Sequence, residues 1–157
     1  MNIVYLADHP QYIPELAVWL FGEWGHLNVG ETLERRVARL QSHMGRPGIP
    51  TTLIALEGEV LLGSASLVAN DLRSHPHLAP FLASVFVLPE QRRRGVGRAL
   101  VQRIAQEARQ LGFDKLYLIT HDRQEFYKSM GWSALEEMSY RGEEVTLMQQ
   151  LLGQTGT

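Results

Sequence analysis

Cysteine is absent from all 157 residues, which excludes a disulfide framework, thiolate-held zinc and a covalent intermediate on a cysteine. Long apolar runs are missing too: none approaches the roughly 18 residues of a membrane span. The opening Met1-Asn2-Ile3-Val4-Tyr5-Leu6 carries no basic stretch ahead of its apolar residues, so a cytoplasmic protein is expected. Nor is there an excess of one charge. Fifteen Lys and Arg face seventeen Asp and Glu, for a net charge of −2, so no overall field draws nucleic acid or a membrane surface, and neither partner is expected. No repeat or low-complexity segment interrupts the chain. The length suits a single domain over residues 1–152, with 153–157 a short polar tail.

What basic charge there is concentrates in one place. Ala83 to Leu88 is a short run rich in Val and Phe, stopped by Pro89, as expected of a strand buried on both faces. From Val96 to Leu111 apolar residues recur every three or four positions and Gly112 follows, predicting an amphipathic helix with a stop. Between them, Gln91 to Gly97 holds Arg92, Arg93 and Arg94 with Gly95 and Gly97, and Arg98 comes next. Two glycines let the backbone turn and expose its N–H groups at a positive helix end, and guanidinium groups suit phosphate oxygens. An anionic, polyphosphate-bearing ligand is the expectation. The loop lacks the Gly-Lys-Ser/Thr of a P-loop, having Gly97-Arg98-Ala99, and a dinucleotide fingerprint would need glycine where Leu100 stands.

Around this stretch the pattern predicts a strand over Asn2 to Ala7, helices over Ile13 to Trp24 and Glu31 to Met44, and a loop over Gly22 to Gly30. It predicts a hairpin of Thr51 to Leu56 and Val60 to Val68, a strand over Leu116 to Thr120, and a closing hairpin of Ser133 to Tyr140 and Glu143 to Leu151. Trp24 reads equally as a pocket wall or a core plug. The polar connection Asn70 to Pro80 contains Asp71, His75 and His77; with no third ligand evident, His75-Pro76-His77 is not read as a metal pair.

Arg92-x-x-Gly95-x-Gly97 after a strand and a proline resembles the acyl-CoA pyrophosphate loop of the GNAT superfamily of N-acetyltransferases. Leu116 to Thr120 followed by Glu125-Phe126-Tyr127-Lys128-Ser129-Met130-Gly131-Trp132 resembles that family's next strand and its Phe-Tyr-x-x-x-Gly-aromatic signature. The likeness covers roughly Thr51 to Leu151. It implies an α+β fold layered α/β/α, with a mixed, mostly antiparallel sheet of about seven strands, a splayed central pair and about four helices.

The resemblance also implies a chemistry: transfer of acetyl from acetyl-CoA, as co-substrate and without metal, to a primary amine of a small molecule or a peptide amino terminus, by direct attack in a ternary complex. The cofactor would be held by Val85, Phe86, Val87, Arg92, Arg93, Arg94, Gly95, Val96, Gly97, Arg98, Phe126 and Lys128, with Val87 N–H polarising the acetyl carbonyl. Tyr127 would be the general acid, a phenol protonated at neutral pH whose gradient toward a thiolate is read as favourable. Trp24, Asp71, His75, His77, His121 and Asp122 are candidates on the acceptor side, Asp71, His77, His121 and Asp122 also as bases. At His121 the family more often has asparagine, and Thr120-His121-Asp122 faintly resembles some amino-terminal peptide acetyltransferases. The alternative is an acyl-CoA-binding sensor or interaction module without activity. A homodimer is compatible with the architecture.

Overall fold

The computed structural model describes residues 1–27 and 29–153; Asn28 of the predicted loop and most of the tail lie outside them. Seven strands, β1 Asn2–Tyr5, β2 Thr51–Glu57, β3 Val60–Val68, β4 Phe81–Val87, β5 Lys115–Thr120, β6 Ser133–Tyr140 and β7 Glu143–Leu151, form one sheet. Their order is β1-β2-β3-β4-β5-β7-β6. Every neighbouring pair is antiparallel except β4 and β5. The helices are α1 Ile13–Trp24, α2 Leu33–Ser42, α3 Val96–Gln110 and the short α4 Gln124–Lys128. Among the described residues no helix is long and apolar enough to cross a membrane.

Each face of the sheet is covered because β2 and β3 are apolar on both sides. Leu53 and Ala55 join Leu100, Ile104 and Ala108 of α3 in one cluster. Ile54 and Leu56 join Leu16, Leu20 and Leu40 of α1 and α2 in another. That alternation gives the layered arrangement the sequence implied.

Several boundaries move, each for a local reason. β1 ends at Tyr5 because Leu6–Asp8 winds into a 3-10 turn closed by His9 N–H on Leu6 O at 2.8 Å, burying Leu6 completely. α2 starts at Leu33, not Glu31, because the Thr32 hydroxyl caps it, accepting from Arg35 N–H at 3.1 Å. Gly22 lies inside α1 instead of opening the loop. β4 begins at Phe81, two residues before the predicted Ala83, since Phe81 pairs with Tyr117.

Two irregularities of β4 shape the molecule. Ser66 of β3 faces Ala83 and Ser64 faces Phe86, so Ser84 and Val85 together oppose Ala65 in a bulge. Ser84 holds φ at 55° there. An extra residue swaps the faces of everything beyond it: Leu82 belongs to the α3 cluster, yet Phe86, four positions on, belongs to the α1–α2 cluster, ringed by Trp19 and Trp24 with centroids 5.8 and 6.3 Å away. The second irregularity is that β4 and β5 pair only at Phe81 and Tyr117. Beyond that point the two strands part.

Candidate active site

The parting strands open a cleft of about 1370 Å³ whose walls come from both faces of the sheet. That exceeds the roughly 300–1,000 Å³ of a pocket for one drug-sized ligand, so two ligands fit end to end. Leu88 N–H donates to Leu62 O at 3.0 Å. In an antiparallel ladder such bonds alternate, so the N–H and C=O of Val87 turn to the opposite edge, toward the cleft. There Arg92 Nε donates to Val87 O at 3.0 Å, leaving the Val87 N–H directed into the space β5 has vacated.

At one end of this edge stands the start of α3. Gly95 takes φ 82° to turn the chain into the helix, a conformation natural to glycine. Gly97 does something other than the turning expected of it. It sits within the helix, where an added Cβ would lie 3.4 Å from Val87 Cγ2 and 3.6 Å from Phe126 Cζ, so its bareness leaves room beside strand and aromatic ring. Ala99 N–H reaches Gly95 O at 3.0 Å as the first bond of the helix, so the N–H groups of Val96, Gly97 and Arg98 have no acceptor within it.

Of the residues expected to hold a cofactor, Val85, Phe86, Val87, Arg92, Arg93, Gly95, Gly97, Arg98 and Phe126 line the cleft together. Arg94 does not: its guanidinium bonds Gln91 Oε1 and lies 3.7 Å from Glu57, facing a small depression beside Val96 and Met1. Val96 is 3% exposed and packs in the core, because helix periodicity points it at the sheet. Lys128 pairs with Glu125 at 3.6 Å on the outer face of α4, away from the cleft lining.

Tyr127 lines the cleft from α4, buried edge-on against Phe126 and Trp132 at 5.1 and 5.9 Å between centroids. Burial pushes its phenol up to about 12, with Arg123 pulling down and Asp122 pushing up by less. It is therefore protonated at every working pH. The favourable gradient expected from sequence does not hold: complete transfer to a thiolate whose thiol titrates near 8.5 runs uphill by roughly 5 kcal/mol at these values. A phenol held at this value can donate a hydrogen bond to a developing negative charge but cannot complete the transfer unaided.

At the acceptor end Trp24, Asp71, His121 and Asp122 also line the cleft. His75 and His77 do not; their rings stack 6.1 Å apart and His75 bonds Glu136 at 3.0 Å on the surface. Among the described residues no group of three His, Cys, Asp or Glu could hold a metal ion. Asp71 is flanked by the cleft walls, which push it up to about 6 against the pull of Arg141, Arg36 and Arg39, but the residue is exposed, which weakens that push. It still meets the water in the cleft, so the push grows when a ligand expels that water.

Sequence reading missed a stripe on α2. Leu33 at its start is 37% exposed, while Arg36 and His43, in the same helical register as Leu40, are buried and line the cleft. A charged residue in an apolar register was the available signal. His43 Nδ1 meets Thr52 Oγ1 at 3.0 Å, and Thr52 meets Ser66 Oγ at 2.7 Å, a buried polar chain through the sheet. Burial, then Arg39 and Arg36, push His43 down to about 4.

His43 thus links stability to pH. As pH falls from about 6.5 toward 4 the unfolded chain takes a proton that the folded one refuses, costing up to about 3 kcal/mol. Asp71 acts in the opposite sense, favouring the folded state as pH falls through about 6. Denaturant unfolding at pH 7 and pH 4.5 is therefore expected to show a larger loss in the wild type than in His43→Gln. Equal losses would mean the histidine is not held neutral.

A parted strand pair with a free backbone edge meets a glycine-led helix start with guanidinium groups beside it, a geometry suited to a long anionic ligand. Residues 13–132 match the model of the acetyltransferase (GNAT) family, and the chain belongs to that family of acyl-CoA-dependent acetyltransferases. It is 32% identical over 103 residues to N-alpha-acetyltransferase 80 from Mus musculus, a match covering 62% of this chain and 32% of that protein. The chain thus spans about a third of the length of this curated relative. The fold is shared with an aminoglycoside 6'-N-acetyltransferase complexed with coenzyme A, at TM-score 0.78 and 15% identity over 100% of both chains. It is also shared with a ribosomal-protein-alanine N-acetyltransferase from Brucella melitensis, at TM-score 0.70 and 21% identity over 96% of this chain and 99% of that one.

Proposed function

We propose that the protein transfers an acetyl group from acetyl-CoA to a primary amine by direct attack in a ternary complex. The observation that carries this reading is the edge of β4: Val87 N–H faces the vacated space, with the α3 start on one side and Tyr127 in the same cleft. The pantetheine arm lies along Val85 to Val87 as an added strand would, satisfying backbone groups that β5 leaves unpaired. The diphosphate takes the free N–H groups of α3 with Arg92, Arg93 and Arg98.

Val87 N–H donates to the acetyl oxygen as it becomes negative. The neutral amine forms the new C–N bond, the C–S bond breaks, the nitrogen releases a proton, and the sulfur regains one through Tyr127. Asp71, which lines the same cleft and ionises above about pH 6, is the base in this reading.

Two measurements test the phosphate seat and the reaction. Ala at Arg92 and Arg98 is expected to weaken CoA binding by about 10- to 10²-fold in calorimetry and to change a pantetheine analogue little. Arg94→Ala, whose guanidinium faces Glu57, is expected to change neither. Equal weakening of CoA and analogue would place the phosphates elsewhere. Release of free thiol on mixing acetyl-CoA with an amine library is the expected activity, and its absence across the library refutes transfer.

A further inference from the structure

Opposite the proposed phosphate seat, α2 presents Arg36, Arg39 and His43 at i, i+3 and i+7, a spacing that puts them on one face, and all three line the cleft. Arg36 is only 5% exposed, and its buried Nε has no hydrogen-bond partner. The carboxylate nearest to it, Glu31, lies 3.7 Å away and is engaged more closely by Arg39, at 3.0 Å. One carboxylate therefore serves two guanidinium groups, one of them nearly dry. The Nε itself lies on the Glu31 side, out of a ligand's reach, but the positive charge of the two guanidinium groups, both lining the cleft, is left for a ligand anion to balance. Asp71, the carboxylate suited to an amine, stands close enough to feel the charges of Arg36 and Arg39.

Resting on the acetyl-transfer reading, we propose that the acceptor is an amine carrying a carboxylate a few bonds away, its amine at Asp71 and its carboxylate on Arg36 and Arg39. A planar carboxylate takes the paired donors of a guanidinium that a hydroxyl or amide cannot fill equally. His43, neutral and tied to Thr52, adds no charge of either sign to this face. The same inventory disfavours polycationic acceptors. Eight arginines and four acidic residues line the cleft. Even with Arg92, Arg93 and Arg98 taken up by phosphates, the acids do not outnumber the arginines, so no negative field draws a polycation.

Free amino acids and acidic peptide amino termini share this chemistry, and matched pairs separate them. With acetyl-CoA saturating, kcat/KM is compared for glutamate against its diamide, and for a tripeptide amide beginning with Glu against one beginning with Gln. In at least one pair the carboxylate form is expected to lead by about 10²-fold, and the pair that shows it identifies the source. Arg39→Gln, at a half-exposed position where the amide can still donate a hydrogen bond to Glu31, is expected to shrink that lead to about tenfold or less. Arg35→Gln is expected to keep it, since Arg35 points off the stripe to Gly30 O at 2.7 Å. Equal use of both members of each pair, or a lead indifferent to Arg39→Gln, overturns the proposal. Turnover of simple cationic amines but not carboxylated ones overturns it while leaving acetyl transfer standing; CoA uptake with no amine turned over sinks both.

Discussion

Replacing Tyr127 with Phe lowers kcat by about 10²- to 10⁴-fold while acetyl-CoA binds as before. The ring keeps its place between Phe126 and Trp132, so packing and cofactor seat survive and only the hydroxyl is lost. What disappears is a donor aimed at charge that exists only as the C–S bond breaks, which is why the loss falls on turnover and not on binding. Because burial holds the phenol near 12, the wild-type rate is expected to show no loss from tyrosine ionisation up to about pH 10. Its acid limb follows the proton acceptor, rising as Asp71 ionises through about 6. Steady-state kinetics from pH 5 to 10 check both points. An unchanged kcat in the Phe variant removes Tyr127 from the acid role.

The strands and the helix after the glycine loop were legible because period-2 and period-3.6 patterns there agree with their turn residues. Arg92-x-x-Gly95-x-Gly97 likewise led to residues that line the cleft. The parting of β4 from β5 was not legible in the residues themselves. Val85, Phe86 and Val87 read as ordinary buried strand, and a bulge at Ser84 leaves no mark in composition, since serine has no preference for φ near 55°. Arg94 was indistinguishable from Arg92 and Arg93 in sequence. Only the direction of the chain after Arg93, itself at φ 66°, sends one guanidinium to Glu57 and the others to the cleft. The acceptor end was least legible because its residues come from α1, α2, the connection before β4 and the turn after β5, with no shared spacing to reveal them.

The bulge and the parting depend on how closely β3 approaches β4, and here Gly63 sets the limit. A Cβ on Gly63 would lie 2.5 Å from Phe86 O and 3.2 Å from Val87 Cα, both backbone atoms of β4 that no side-chain rotation can clear. Gly63→Ala must therefore push β4 toward the cleft, moving the Val85 to Val87 edge relative to the α3 start and Tyr127. Overpacking of this kind costs about 1–3 kcal/mol, and displacement of the carbonyl donor by even a fraction of an ångström lowers turnover steeply, here by about 10²-fold. Gly58→Ala supplies the comparison: Gly58 lies in the turn between β2 and β3 at φ 61° with open space where the methyl would go, so it strains the backbone by a similar energy without touching β4. Urea unfolding and kcat at saturating substrates, measured on both variants, separate the effects. If the two lose stability alike and only Gly63→Ala loses turnover, the spacing of β3 and β4 holds the reactive edge in place; if Gly63→Ala keeps full turnover, that edge is not where the thioester is activated.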